Sequence, residues 1–159
     1  MIEFVLIIFF IVAIASSLTV VLQNQSLGTL DGDAQLIKSV LIDAQLRAIN
    51  SIQGTAWGVR FDNTVSSSPT YSIFSGTSFV AASTTHYVSK NVQFCFPQSG
   101  TTYDFPFNKN TGKLASIKSV VIELRSDTAH SNQKIVQAST QGVLTITDAV
   151  NTDCTPGGH

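Results

Sequence analysis

Charged side chains are scarce in this sequence: only 12 % of its 159 residues are Asp, Glu, Lys or Arg. A soluble globular protein usually carries about 25 %. The nine Lys and Arg residues are scattered singly from Lys38 to Lys134. Because nucleic-acid binding needs a cluster of basic side chains to displace counterions from phosphates, we expect no nucleic-acid partner. Serine and threonine supply the polarity instead, which favours a secreted or surface-displayed protein over a cytosolic enzyme.

The residue spacings of common catalytic and metal sites are also missing. The three histidines, His86, His130 and His159, are isolated, and no G-x-S-x-G, H-E-x-x-H or phosphate-binding loop occurs. The triplet at residues 31–33, Asp-Gly-Asp, lacks the further spaced acceptors of a calcium loop and indicates cap and turn chemistry. We therefore predict no enzymatic activity, no catalytic residues, no cofactor and no metal.

Cysteine is limited to Cys95 and Cys154. If this part of the chain lies outside the cytoplasm, a disulfide between them is expected. It would close a loop of roughly 60 residues and stabilise the fold by about 4 kcal/mol in the chain-entropy model. Two unpaired thiols are the alternative. A zinc site is not indicated, since the cysteines are far apart in sequence and have few histidine partners.

One long apolar run stands near the start of the chain. Residues 4–22 contain no charged residue, glycine or proline, and as a helix they would span about 28 Å, close to the hydrocarbon thickness of a bilayer. No basic residue precedes the run, so it fits a membrane anchor better than a cleaved signal peptide. Glu3 heads the run. A carboxylate so close to hydrocarbon is usually functional, although in the headgroup region it would carry little penalty.

The helix is predicted to continue beyond the membrane. Two glycines in residues 23–32 predict a kink or an unwound segment, and Asp33 is the expected N-cap of the next part. We thus divide the chain into a hydrophobic helix with a kinked end (1–32), an amphipathic helix half (33–53) and a β-rich head (54–159). The apolar stripe expected to pack on the head has three- and four-residue spacing and comprises Leu36, Ile37, Val40, Leu41, Ala44, Ala48 and Ile49.

Beyond Gly54 the sequence has the short alternating segments and turn signals typical of about seven strands. The predicted fold class is therefore α+β, a long N-terminal helix packed on an antiparallel β-rich head. The predicted strands lie at Trp57–Phe61, Tyr71–Phe74, Val92–Phe96, Tyr103–Phe107, Ser119–Leu124, Lys134–Ser139 and Val143–Ile146.

This order of parts resembles type IV pilins and pseudopilins, and the head resembles the GspH/FimT family. Met1 to Val5, followed by the apolar helix, looks like the start of a mature pilin. The resemblance covers nearly the whole chain to about Ile146. The segments that carry it in the head are Asp43–Ile49, Trp57–Phe61, Tyr71–Phe74, Phe105–Asn108 with Gly112, and Lys134–Ser139 with Gly142 to Leu144.

The resemblance implies a structural subunit of a type IV pilus-like filament, a helical homo-oligomer. The subunit would wait in the inner membrane and then enter an extracellular filament, with a prepilin peptidase and an assembly platform as partners. Glu3 would set the register between neighbouring subunits. The expected filament-core residues are Phe4, Ile7, Ile8, Phe10, Ile11, Ile14 and Leu18.

Two departures keep alternatives open. The family's glutamate is the fifth mature residue, whereas Glu3 is third here, and the glycine that precedes the processing site is absent. The arginines that some DNA-uptake members carry near the C-terminus are absent from residues 148–159. The alternatives to a pilus subunit are a minor pseudopilin of a type II secretion system and a DNA-uptake minor pilin.

Overall fold

A computed structural model of the chain describes residues 28–149. Within this range, helix α1 occupies residues 28–49 and is followed by a short 3-10 turn at Ile52–Gly54 and by eight strands. The strands are β1 (Trp57–Asp62), β2 (Thr70–Ser75), β3 (Ala82–Tyr87), β4 (Val92–Phe96), β5 (Thr102–Phe107), β6 (Lys118–Leu124), β7 (Gln133–Ala138) and β8 (Leu144–Ala149).

The strands form two antiparallel sheets. Sheet 1 has the order β3-β2-β1-β5, and sheet 2 has the order β4-β6-β7-β8. Together with the packed helix they confirm the predicted α+β class. Pro106 lies in β5, an edge strand of sheet 1, where its missing N–H leaves the ladder intact.

Strand β3 was not predicted from the sequence. Its residues are mainly Ser, Thr and Ala, and all but His86 are exposed. Because β3 is the outer edge of sheet 1 and buries almost no side chains, it lacks the alternation of apolar and polar residues that marks a half-buried strand. Its position is set instead by antiparallel pairing with β2.

The core lies between the inner face of α1 and the two sheets. Small residues at Ala34, Ala44 and Ala48 let the helix approach the strands closely, and Ile37 and Leu41 fill the space between them. Aromatic rings from both sheets complete the core. Phe61 of sheet 1 contacts Phe105, Tyr71 and, from sheet 2, Phe94.

Two residues assigned to the buried stripe are exposed. Leu36 is 56 % exposed and Ile49 is 41 % exposed, whereas the other five members of the stripe are buried. Each residue advances about 100° around a helix, so Leu36, one position before Ile37, falls beside the buried face rather than on it. Ile49, one position after Ala48, is displaced in the same way on the other side.

The start of the amphipathic half also differs from the prediction. Residues 28–32 are already helical, so the predicted kink is absent there, and residues 23–27 lie outside the described range. Asp33 is therefore inside α1 rather than at its N-cap. Its buried carboxylate accepts hydrogen bonds from the backbone N–H of Ser89 at 3.1 Å and from its hydroxyl at 3.0 Å. Asp33 thus ties the helix to the loop between β3 and β4.

Candidate functional site

The residues predicted to act in assembly lie outside the described range. None of the helices within residues 28–149 is both long and apolar enough to cross a membrane; the predicted membrane span, residues 4–22, is not part of that range. The predictions for these positions therefore stay predictions. They concern Glu3, Phe4, Ile7, Ile8, Phe10, Ile11, Ile14 and Leu18.

The described helix carries a line of partly exposed apolar side chains beside its buried face. Ile42, Leu46 and Ile49 are spaced by four and three residues, which places them along one face of α1. Ile52 begins the 3-10 turn that lies two residues beyond the end of the helix. We call these four residues the helix ridge; they are between 39 and 50 % exposed.

Part of the helix ridge could have been recognised from the sequence. Ile42 and Leu46 are apolar residues four apart that do not belong to the predicted buried stripe. A second apolar line on a helix whose first line is already buried indicates a second contact surface.

Gln45 fixes the position of the ridge on the head. Its side-chain amide donates to the carbonyl oxygens of Gly112 at 3.0 Å and Gly142 at 2.8 Å. Both glycines have positive φ, +61° and +83°, which L side chains adopt only with strain. A Cβ at Gly112 would lie 2.7 Å from Cγ1 of Ile49. The helix therefore rests on two tight turns of the head, and the Gln45 side chain bonds it to both turns.

The C-terminal end of α1 is held against Trp57. Arg47 makes a two-point ion pair with Asp43, at 3.0 and 2.8 Å, and its guanidinium lies 5.0 Å from the Trp57 ring centroid. The Trp57 indole N–H donates to the carbonyl oxygen of Ile52 at 2.9 Å. The ion pair is partly exposed and adds little stability, but the contacts together orient the last turn and Ile52.

The other end of the described helix is tied to sheet 2 by Lys134. Its ammonium contacts Asp31 of α1 at 2.6 Å and also contacts Asp148 of β8. Hydrogen bonds to Asp148 and Asp31 raise the pKa of Lys134 above its usual value. The adjoining cavity, about 270 Å³, is lined in part by these same three side chains. The single ammonium is already shared by the two carboxylates, so it is not free to bind an anionic ligand.

Burial changes two acid–base groups near the start of α1. The pKa of Asp33 is raised because the carboxylate is desolvated, although the hydrogen bonds from Ser89 oppose this. Burial, with a smaller contribution from Asp33, raises the pKa of Tyr71 to about 12. The Tyr71 ring also stacks on His86 at a centroid distance of 5.3 Å. These contacts hold the helix, β2 and the loop before β4 together. We therefore assign them a structural role and not a catalytic one.

One group of residues has the composition of a metal site. The ligand atoms of Cys95, Glu123 and His130 lie within 4.8 Å of one another. Cys95, however, is not a free thiol in the structure, whereas metal binding requires the thiolate. This group therefore does not form a metal centre. Cys154, the predicted disulfide partner of Cys95, lies outside the described residues, so that pairing stays a prediction.

The chain is similar in structure to a type IV pilin. Two crystal structures of the type IV minor pilin FimU of Pseudomonas aeruginosa each match with a TM-score of 0.51. Their sequence identities are 15 and 14 %, and the matches cover 81 % of this chain and 98 and 92 % of the FimU chains. No family model and no curated protein matches the sequence. At this identity the comparison establishes a type IV pilin-like fold.

Proposed function

We propose that the chain is a structural subunit of a type IV pilus-like extracellular filament, assembled by packing of its N-terminal helices. The observation that carries the proposal is the helix ridge. A helix fastened to the head of a pilin-like fold keeps an apolar line on its outer face. Ile42, Leu46 and Ile49 lie along one face of the helix and Ile52 lies just beyond its end; grouped exposed apolar side chains of this kind mark interaction sites.

The ridge suits contact with helices of neighbouring subunits. Each Å² of apolar surface removed from water stabilises the contact by about 25 cal/mol. In the sequence, the apolar run at residues 4–22 precedes the described helix. We expect this run to anchor the subunit in the inner membrane before assembly and then to exchange lipid for neighbouring helices.

Glu3 is proposed to fix the axial register of the packed helices. An unpaired carboxylate in an apolar helical bundle is strongly unfavourable, whereas one matched to the positive N-terminus of a neighbour is satisfied. Only one stagger of neighbouring subunits provides that match. A prepilin peptidase and an assembly platform would complete the set of partners.

A second candidate is a minor subunit of such a system rather than the repeating body of the filament. It is favoured by the structural neighbour FimU, a minor pilin matched in two crystal forms. A DNA-uptake role is less favoured. Three of the described basic side chains, Arg47, Arg60 and Lys134, are each engaged by a carboxylate, which leaves less positive charge for a phosphate backbone.

Substitution on the ridge tests the proposal. Leu46→Glu places a charge in the proposed contact, and we expect filament yield from expressing cells to fall severely, because the charge would be buried without a partner. The thermal midpoint of the isolated full chain in detergent should change little, since Leu46 is half exposed. Yield is measured by shearing filaments from cells and quantifying the chain by mass spectrometry.

Val65→Glu is the matched control. Val65 is 58 % exposed in the turn after β1, at the end of that strand opposite Trp57, which contacts Ile52 of the ridge, so this variant should assemble like the wild type. Wild-type filament yield from Leu46→Glu would remove the ridge as an assembly surface. Severe loss from both variants would point to a general sensitivity to negative charge instead.

A further inference from the structure

Strand β3 is held by one neighbouring strand and buries almost nothing. It pairs with β2 alone, at the outer edge of sheet 1. Of its six side chains only His86 is partly covered, and Tyr87 is 70 % exposed. Because the burial of apolar surface is the main favourable term in folding, β3 contributes little to the stability of the monomer. What it offers to a partner is its free edge.

The register shows which backbone groups lie on that edge. Val88 donates its N–H to the carbonyl oxygen of Pro69 at 3.2 Å, and the next pair of residues is Tyr87 with Thr70. In an antiparallel ladder, hydrogen-bonded pairs alternate with pairs that exchange no hydrogen bonds. The N–H and C=O groups of Thr85 and Tyr87 therefore point away from β2. Within the described part of the chain no strand lies on that side of β3.

The other edges of the two described sheets are less open to pairing. Natural sheets protect their edges with proline, charged side chains, irregular register and short strands. Strand β5 contains Pro106 and Asp104, β8 contains Asp148, and β4 has five residues with a register irregularity near its end. Strand β3 has no proline and no Asp, Glu, Lys or Arg, and its irregularity lies toward Ala82, which leaves residues 84–87 in regular register.

The side chains of β3 indicate what kind of partner pairs with it. Peptides that add a strand to a sheet edge are usually selected by pockets for alternate side chains. The side chains of β3 are exposed and not recessed, and the cavity beside Lys134 adjoins sheet 2. The strand reads Ala-Ser-Thr-Thr-His-Tyr, so a second copy of it brings equal length and no acidic or basic side chain of the Asp, Glu, Lys or Arg type.

We propose that β3 is a self-association edge, at which two copies of the chain pair their β3 strands antiparallel and join their sheets 1. Thr85 and Tyr87 determine the register, because each can exchange backbone hydrogen bonds with the other residue of the second copy. His86 then lies opposite His86 of the second copy. Pairing Thr85 with its own copy would instead require Ser83, which falls in the irregular part of the strand.

The side chains suit this register. Thr85 lies opposite Tyr87 of the second copy, and a β-branched residue opposite an aromatic one is a favourable cross-strand pair. A two-fold contact of this kind closes after two copies. It neither extends a helical filament nor uses the helix ridge, so the inference does not rest on the proposed function. Between filaments, the same contact would join one filament to its neighbour.

Two prolines on opposite edges of sheet 1 test the proposal. Thr85→Pro removes an N–H that points away from β2, so it should leave β3 in the sheet but remove hydrogen bonds between the copies. Sedimentation velocity of the full chain in excess detergent should show a wild-type dimer, and its fraction should fall severalfold in this variant. Thr102→Pro is the matched control. Asn63 donates its N–H to the carbonyl oxygen of Thr101, so the N–H of Thr102 also points outward, from β5, and this variant should dimerise like the wild type.

A pair of cysteine variants tests the register without proline. In the proposed dimer the two copies of His86 form a pair without hydrogen bonds, about 4.5 Å apart at Cα, which lies within the range of a disulfide. His86→Cys should therefore form a disulfide-linked dimer under mild oxidation, with residue 86 joined to its own copy in a non-reducing peptide map. Thr84→Cys is exposed on the same strand, but its two copies would lie about 14 Å apart and should form severalfold less.

Three results would overturn the proposal. The first is a wild-type chain that stays monomeric in detergent at every concentration measured. The second is a dimer fraction in Thr85→Pro equal to that of Thr102→Pro. The third is a yield of disulfide-linked dimer from His86→Cys no higher than that from Thr84→Cys, which decides the matter even if Thr85→Pro does not fold.

Discussion

On the inner face of α1, Ile37 and Leu41 are fully buried against the sheets, whereas Leu46 on the outer face of the same helix is half exposed. The two faces carry similar apolar side chains, but only the inner one has a partner within the described residues. The inner face therefore accounts for the stability of the monomer. The outer face contributes little to it and is free to stabilise an assembly. Substitutions should separate these two effects.

The largest expected difference is between two leucines five residues apart. Leu41→Ala leaves a cavity in the core and should lower the free energy of unfolding by about 2–5 kcal/mol. Leu46→Ala should change it by no more than about 0.5 kcal/mol, as is usual for an exposed position. Urea denaturation of the full chain in detergent, followed by Trp57 fluorescence, measures both values. Equal destabilisation by the two variants would contradict the division between the faces.

A smaller change in stability is expected where Gln45 bonds the helix to the two turns of the head. Gln45→Ala removes the two hydrogen bonds to Gly112 and Gly142 and should lower the free energy of unfolding by about 1–3 kcal/mol. Gln35→Ala is the control, because Gln35 is exposed on the same helix. If both variants unfold at the same urea concentration, the hydrogen bonds of the Gln45 amide do not hold the helix on the head.

The smallest effect concerns pH and the inner face near Ser89. Because burial raises the pKa of Asp33 in the folded state, the folded protein binds a proton there more tightly than the unfolded chain does. The stability associated with this proton is present below the ordinary Asp pKa and is lost as pH rises through the raised value. The free energy of unfolding of Asp33→Asn, relative to the wild type, should therefore increase as pH rises from acid to neutral.

Ser39→Asn is a suitable control for the pH series. Ser39 is exposed on α1 and bonds only within the helix, through its hydroxyl to the Leu36 carbonyl, so its effect on stability should be independent of pH. A difference between Asp33→Asn and wild type that stays constant over the same pH range would mean that Asp33 titrates normally.

Sequence patterns predicted most of the regular elements because local periodicity determines which segments can form half-buried strands. Trp57–Phe61 and Val92–Phe96 alternate clearly and are strands in the structure. Strand β3 escaped prediction since an exposed edge needs no apolar alternation. Leu36 and Ile49 were assigned to the buried face because a three- and four-residue spacing does not define the width of that face.

Features that depend on distant pairing could not be read from the sequence. Gln45 meets Gly112 and Gly142 across 67 and 97 residues of chain, and no local pattern links these three positions. The division into two sheets follows from β5 pairing with β1, and β4 with β6. Local propensity carries no information about these choices, which are made by packing of the aromatic core.

Cryo-electron microscopy of filaments sheared from cells that express the chain, with mass spectrometry of the filament protein, tests the central claim most directly. The account predicts that this chain is built into the filament, with Leu46 and Ile49 buried against helices of neighbouring subunits and Glu3 beside a neighbour's N-terminus. Filaments that contain the chain but leave the helix ridge facing solvent would contradict it, as would filaments from which the chain is absent.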